Sequence, residues 1–130
     1  TGTEVESSVM GNLSPVCASV VGEIAPAAEF YDYDAKYLSD CSRLYIPARI
    51  SPETEERVRE NAITVYRAMG CKGLSRVDFF VSYDDQEVVF NEINTIPGFT
   101  SISMYPKLLA ASGIPYSELL DQLIALALED

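Results

Sequence analysis

An α+β domain, an antiparallel sheet packed by amphipathic helices, is the fold class this sequence predicts. Three features carry that expectation. Two pairs of β-prone runs are each separated by a few turn-forming residues, three amphipathic stretches open on serine or proline, and the regular strand–helix alternation of a parallel sheet is missing.

Residues 4–10 and 16–24 have the apolar and β-branched content of strands, and Gly11-Asn12-Leu13-Ser14-Pro15 between them reads as the turn of a hairpin. Residues 29–42 crowd aromatics and acids without a period of 2 or 3.6, which predicts an ordered loop. Ser51-Pro52-Glu53 is a helix start; Val58, Ala62, Val65, Tyr66 and Met69 fall on one face before Gly70 stops the helix. Residues 75–82 and 87–94 are two strands around the turn 83–86. An irregular loop of small residues covers 95–105. Pro106 and Pro115 then open two helices separated by Gly113, the last burying Leu119, Leu120, Leu123, Ile124 and Ala127.

The bulk properties narrow the function. A formal charge of -11, with nine basic residues scattered along the chain, leaves no surface for nucleic-acid phosphates or anionic lipid. No apolar run approaches the roughly 20 residues that span a bilayer, and the opening Thr1-Gly2-Thr3-Glu4 lacks a signal peptide's basic and apolar regions, so a soluble cytoplasmic protein is expected. Cys17, Cys41 and Cys71 show no Cys-x-x-Cys spacing and read as free thiols. With no histidine in the chain, imidazole catalysis and histidine-ligated metals are excluded.

Side chains alternate along a strand, so Arg76, Asp78 and Phe80 share one face of the first strand in the second hairpin, and Val77, Phe79 and Val81 the other. On its partner, Val88, Phe90, Glu92 and Asn94 share a face. An even-sum register, which needs an odd-length turn, would place Asp78 and Glu92 side by side. Like charges so opposed destabilise a sheet unless a cation lies between them. Arg76 would serve one carboxylate; a hard divalent ion taking oxygens from Asp78, Glu92 and Asn94 would serve both. An exposed acidic sheet face accounts for the same spacing. Downstream, Pro97-Gly98-Phe99-Thr100-Ser101-Ile102-Ser103 precedes a helix start, where backbone donors with Ser103 and Arg76 suit a carboxylate or an oxyanion; an ordinary serine-capped connection would read the same way.

Three segments together, Phe30-Tyr31-Asp32-Tyr33-Asp34-Ala35-Lys36-Tyr37, then Gly70-Cys71-Lys72-Gly73 with Arg76-Val77-Asp78, then Asn91-Glu92-Ile93-Asn94-Thr95-Ile96-Pro97-Gly98-Phe99-Thr100-Ser101, closely resemble the D-alanine:D-alanine ligases of the ATP-grasp superfamily. The resemblance runs over residues 4–128. It implies the C-terminal ATP-grasp domain of an enzyme that joins two D-alanines for peptidoglycan synthesis, with ATP as substrate and two magnesium ions, or manganese in their place. By the same resemblance Asp78, Glu92 and Asn94 bind the metals, and Arg76 with the Gly98 amide holds the reacting carbonyl oxygen. Ser103 with the Met104 amide holds the second D-alanine's carboxylate, Lys36 and Tyr37 lie on a closing loop, Phe30 and Phe80 wall the adenine, and Glu4 meets the ribose. A homodimeric parent is implied as well.

The family places a D-alanine-binding domain and a glycine-rich phosphate loop ahead of this region, and the seven glycines here form no phosphate-cradling cluster. Residues 1–130 are therefore expected to be the C-terminal part of a longer ligase, inactive alone. A D-serine or D-lactate acceptor, and a non-catalytic metal or nucleotide-binding module, stay open as alternatives.

Overall fold

The computed structural model describes residues 2–12, 15–25, 43–84, 87–100 and 102–129. Its strands are Gly2–Gly11 (β1), Val16–Ala18 (β2), Gly22–Ala25 (β3), Arg43–Tyr45 (β4), Gly73–Ser82 (β5) and Val88–Asn94 (β6); its helices are Pro52–Ala68 (α1), Met104–Ala111 (α2) and Tyr116–Ala127 (α3). All pairings are antiparallel, in the order β4-β3-β1-β5-β6 with β2 also on β1. The expected α+β architecture is the one observed. The loop expected over 29–42, with Cys41, lies outside the described residues.

β1 is the spine. It pairs with β5 along its full length, from Gly2 opposite Ser82 to Gly11 opposite Gly73. The second strand of the first hairpin is broken into β2 and β3 by a one-residue slip, because Met10 faces Cys17 while Glu6 faces Gly22. The amides across that break find other acceptors: Ser19 N donates to Ser8 O at 2.8 Å, Val20 N to Ser112 Oγ at 2.9 Å and Val21 N to Glu55 Oε2 at 2.9 Å.

α1 begins as expected. Ser51 Oγ accepts from Thr54 N, and Pro52 occupies the first turn, where no intrahelical N–H is needed. The helix ends where Gly70 takes φ 70°, a conformation cheap only for glycine. Val58, Ala62 and Tyr66 are buried against Val5, Val9, Val77, Phe79 and Val81 of the sheet. Met69 departs from expectation: it is the C-cap, past the last turn, and 64% exposed.

The two C-terminal helices cover one end of the opposite sheet face, where Tyr105, Leu109 and Leu119 close over Met10 with Leu74 alongside. α2 starts at Met104, two residues before Pro106, and Pro115 is the N-cap of α3 rather than its first residue. The buried stripe of α3 is narrower than expected. Leu119 is buried and Leu123 and Leu126 pack beside it, whereas Leu120, Ile124 and Ala127 face outward. Ser117, Glu118, Asp121 and Gln122 mark the polar side of α3, but the described neighbours cover only the part of its apolar side that carries Leu119, Leu123 and Leu126. Leu119→Ala is therefore expected to cost about 2–5 kcal/mol in urea denaturation and Leu120→Ala less than about 0.5 kcal/mol; equal losses would mean that α3 is turned about its axis.

Candidate active site on the open sheet face

The face of the sheet opposite α1 is only partly covered by the described residues. Even-numbered side chains of β1 and β5 point to it: Met10 and Leu74 lie under α2 and α3, while Glu4, Glu6, Arg76, Asp78 and Phe80 continue along the part that no described helix covers.

β6 adds to this face through a register shift. Near the turn the pairs are Val81 with Val88, Phe80 with Val89 and Phe79 with Phe90; beyond an irregularity between Asp78 and Phe79 they become Asp78 with Glu92, Val77 with Ile93 and Arg76 with Asn94. Asn91 is thus the extra residue of a β-bulge. The expected pairing of Asp78 with Glu92 holds, but not through an odd-length turn: four residues separate Ser82 from Glu87, and the bulge supplies the missing step. It also corrects the face expected for β6. Val88 and Phe90 sit with the core side chains Val81 and Phe79, the Phe79 and Phe90 rings meeting edge to face at 6.0 Å, whereas Glu92 and Asn94 stand with Asp78 and Arg76.

The result is a row of three carboxylates on three adjacent strands, Glu6, Asp78 and Glu92, beside a second row of Ser8, Arg76 and Asn94. Arg76 forks onto Asp78, Nε to Oδ1 at 2.9 Å and Nη2 to Oδ2 at 3.0 Å. Its Nε also lies 3.2 Å from Glu6 Oε1, but off the N–H axis, so Glu6 Oε1 is buried with an ionic neighbour and without a hydrogen bond. Burial and then the charge of Asp78 push the Glu6 carboxyl up to about 7, with Arg76 opposing. Burial likewise raises Asp78, against the hydrogen bonds of Arg76, and raises Glu4, with Asp78 adding to the effect. Sequence reading missed Glu6. The signal was present: Glu4, Glu6 and Ser8 fall at every second position of the run, which marks a polar sheet face.

Among the described residues no group of three His, Cys, Asp or Glu stands close enough to hold a metal ion. Two opposed carboxylates and an amide oxygen nevertheless make a hard-oxygen donor set that fits magnesium, an ion that keeps several positions for water or phosphate. Among the described residues, four carboxylates stand against one guanidinium on this face. Asn94 Oδ1 already accepts from Ile96 N at 3.0 Å, which fixes the start of the following loop.

That loop folds back on Ser103, whose Oγ accepts from Thr100 N at 3.1 Å and lies 2.8 Å from Thr100 Oγ1; a Cβ on Gly98 would come within 3.1 Å of the same atom. Ser103 is the N-cap of α2 and Met104 its first residue, and the Ser103 side chain makes no capping hydrogen bond to the helix end. Glu4 faces Phe80 one row from the carboxylates. Phe80 is 42% exposed on the site face and is not a core residue. Phe30, Lys36 and Tyr37 lie outside the described residues.

A carboxyl whose proton is held more tightly folded than unfolded contributes stability that is complete below its unfolded pKa and is lost as pH rises through the folded one. Between the unfolded 4.5 and about 7, Glu6 thus removes on the order of 3 kcal/mol, and Glu4 and Asp78 act in the same sense. Urea denaturation at about pH 5 and about pH 8 should show the chain less stable at the higher pH, with Glu6→Gln flattening most of the difference. A wild-type curve that is flat or rises over this interval would contradict the burial of an unpaired Glu6 oxygen.

The family model "D-ala D-ala ligase C-terminus" matches residues 1–125. The chain is 56% identical over 128 residues to a D-alanine–D-alanine ligase of Chlorobium phaeovibrioides, covering 98% of this chain and 35% of that protein. It is 58% identical over 130 residues to one of Ruminiclostridium cellulolyticum, covering 98% and 34%. Among solved structures it superposes on the VanG D-Ala:D-Ser ligase of Enterococcus faecalis with a TM-score of 0.82 at 46% identity, over 97% of this chain and 36% of that one. On the D-alanine–D-alanine ligase of Bacillus anthracis complexed with ATP the TM-score is 0.77 at 34% identity, over 98% and 40%. The chain spans about a third of the length of the curated relatives it matches, and no helix among the described residues is long and apolar enough to cross a membrane. An antiparallel ATP-grasp sheet with a carboxylate row on its open face, matched along nearly its whole length, places this chain in the D-alanine–D-alanine ligase family, in the part that forms the enzymes' carboxyl terminus.

Proposed function

We propose that the chain supplies the metal and oxyanion half of a ligase site that uses ATP to join two D-alanines into the dipeptide for peptidoglycan synthesis, the remainder coming from the rest of a longer protein. The observation that carries this reading is the direct pairing of Asp78 with Glu92 on an open face, with the Arg76 fork beside them. In the reaction, ATP phosphorylates the carboxylate of one D-alanine and the amine of the second attacks the resulting acylphosphate.

Each residue has a part that its position suits. Asp78, Glu92 and Asn94 would hold the divalent ion. Bound there, it would neutralise charge on the phosphates during transfer. Arg76 is an always-charged planar donor held on the sheet face, suited to the oxygen that gains charge as the amine attacks; the Gly98 amide would be its second donor. Ser103 and the uncapped start of α2, with the Met104 amide, suit the carboxylate of the second amino acid. Phe80 and Glu4, opposite one another across β5 and β1, would by the resemblance meet base and ribose. Lys36 and Tyr37, by resemblance, would close over the transferring phosphate and the acceptor. The VanG ligase, a D-Ala:D-Ser enzyme with a TM-score of 0.82, favours D-serine as the second acceptor to test.

In the full-length enzyme that carries this chain, Arg76→Ala should lower kcat for D-alanine-dependent ADP release by about 10²–10³-fold. The manganese affinity, measured by electron paramagnetic resonance, should stay the same or tighten, since the fork no longer competes for the Asp78 oxygens. Asp78→Asn should weaken manganese binding instead. Ligation at the wild-type rate in Arg76→Ala would remove the oxyanion assignment. The 130-residue chain alone should form no dipeptide, and D-alanine-dependent phosphate release from it would show that the rest of the enzyme is not needed.

A further inference from the structure

Arg76 and a cation at Asp78 make competing demands on the same two oxygens. The fork occupies Oδ1 and Oδ2 at 2.9 and 3.0 Å, and Asp78 is also the carboxylate that faces Glu92. If Asp78 turns toward an ion between the strands, the Arg76 Nε–H loses its acceptor, and a long side chain without an anchor does not hold an aimed guanidinium. Glu6 stands ready on the other side. It is 2% exposed, it faces Asp78 across β1 and β5, and its Oε1 lies 3.2 Å from Arg76 Nε, buried and without a hydrogen bond. A buried carboxylate oxygen with a cation at hand and no hydrogen bond is costly unless another state uses it. A small rotation of Arg76 would direct Nε–H to that oxygen.

We propose that Glu6 is a positioning residue that takes over the Arg76 Nε–H when Asp78 engages the divalent ion, keeping the guanidinium aimed at the reacting carbonyl oxygen. This rests on the reading above in which Asp78 and Glu92 hold the ion. Glu6 touches neither substrate nor metal; it acts through Arg76, and it lets Asp78 change partners without leaving Arg76 loose.

The experiment is a double-mutant cycle in the full-length enzyme that carries this chain, with Glu6→Gln, Arg76→Met and the pair, read by manganese affinity from electron paramagnetic resonance and by steady-state kinetics. Glu6→Gln should weaken manganese binding and lower kcat by about 10-fold each, because the fork stays on Asp78. KM for ATP and D-alanine should stay within about 2-fold, and Glu6→Asp should recover part of both losses. In the Arg76→Met background, where no fork competes, Glu6→Gln should change manganese affinity by less than about 2-fold. Wild-type behaviour of Glu6→Gln overturns the proposal. So does an equal weakening in the Arg76→Met background, which would mean that the Glu6 charge acts on the ion by itself. Should Glu6→Gln not fold, Glu6→Ser, which also removes the carboxylate, goes through the same cycle, and the same two results overturn the proposal. Asp78→Asn is the separate control: unchanged manganese affinity there overturns the metal reading itself, and Glu6 falls with it.

Discussion

Three carboxylates set side by side on adjacent strands are what the rest of this structure must accommodate. Opposed residues of an antiparallel pair stand about 4.5–5.5 Å apart at Cβ, so Glu6, Asp78 and Glu92 repel one another and two of them are largely cut off from water. One guanidinium relieves part of the strain. Glu6 takes up what remains by holding its proton to about 7. A face on which the described residues set four carboxylates against one guanidinium suits cations, and the chain's overall charge of -11 does not by itself exclude a phosphate-carrying ligand that brings them. Divalent ions act at contact distance, whereas salt screens the remaining surface charge beyond roughly 8–10 Å.

The helices make such a face available by where they do not pack. α1 packs on one sheet face, with Val58, Ala62 and Tyr66 over the odd-numbered residues of β1 and β5. α2 and α3 take one end of the other face and are tied there through the backbone: Ser8 Oγ donates to Tyr105 O at 3.0 Å, and Tyr105 Oη donates to Val9 O at 2.9 Å. These bonds fix the start of α2 beside the row that carries Arg76. The helix end suited to a substrate carboxylate and the fork suited to an oxyanion thus share the strand β1 as their reference.

Much of this was legible in the sequence. Strand content, the Ser51-Pro52 start and the Gly70 stop are local signals, and each reported its element correctly. The pairing of Asp78 with Glu92 was legible only as a condition on register, because local pattern fixes which residues alternate but not which strand residue they meet. Glu6 escaped because its significance is non-local: it becomes a site residue through the register of β1 on β5, across 72 positions of chain. Leu120 and Ile124 were misplaced for a related reason: they lie on the apolar side of α3, but how much of that side is covered depends on distant neighbours that the local pattern does not name.

The bulge at Asn91 shows why neither uniform register would serve. If the pairing of Phe79 with Phe90 ran on unchanged, Glu92 would meet Val77 on the face beneath α1, placing a carboxylate in the apolar core without a partner. If the pairing of Asp78 with Glu92 ran on toward the turn, Asn91 would take the place of Phe90 against Phe79, and Phe90 would move to the charged face opposite Phe80. One inserted residue resolves both conflicts, since a slip of one position moves every later side chain to the other face. The aromatic end of the hairpin keeps its hold on the core while the acidic end turns to the open face. Core packing and the carboxylate row are therefore set by the same residue, and any change that straightens β6 at Asn91 must damage one to preserve the other.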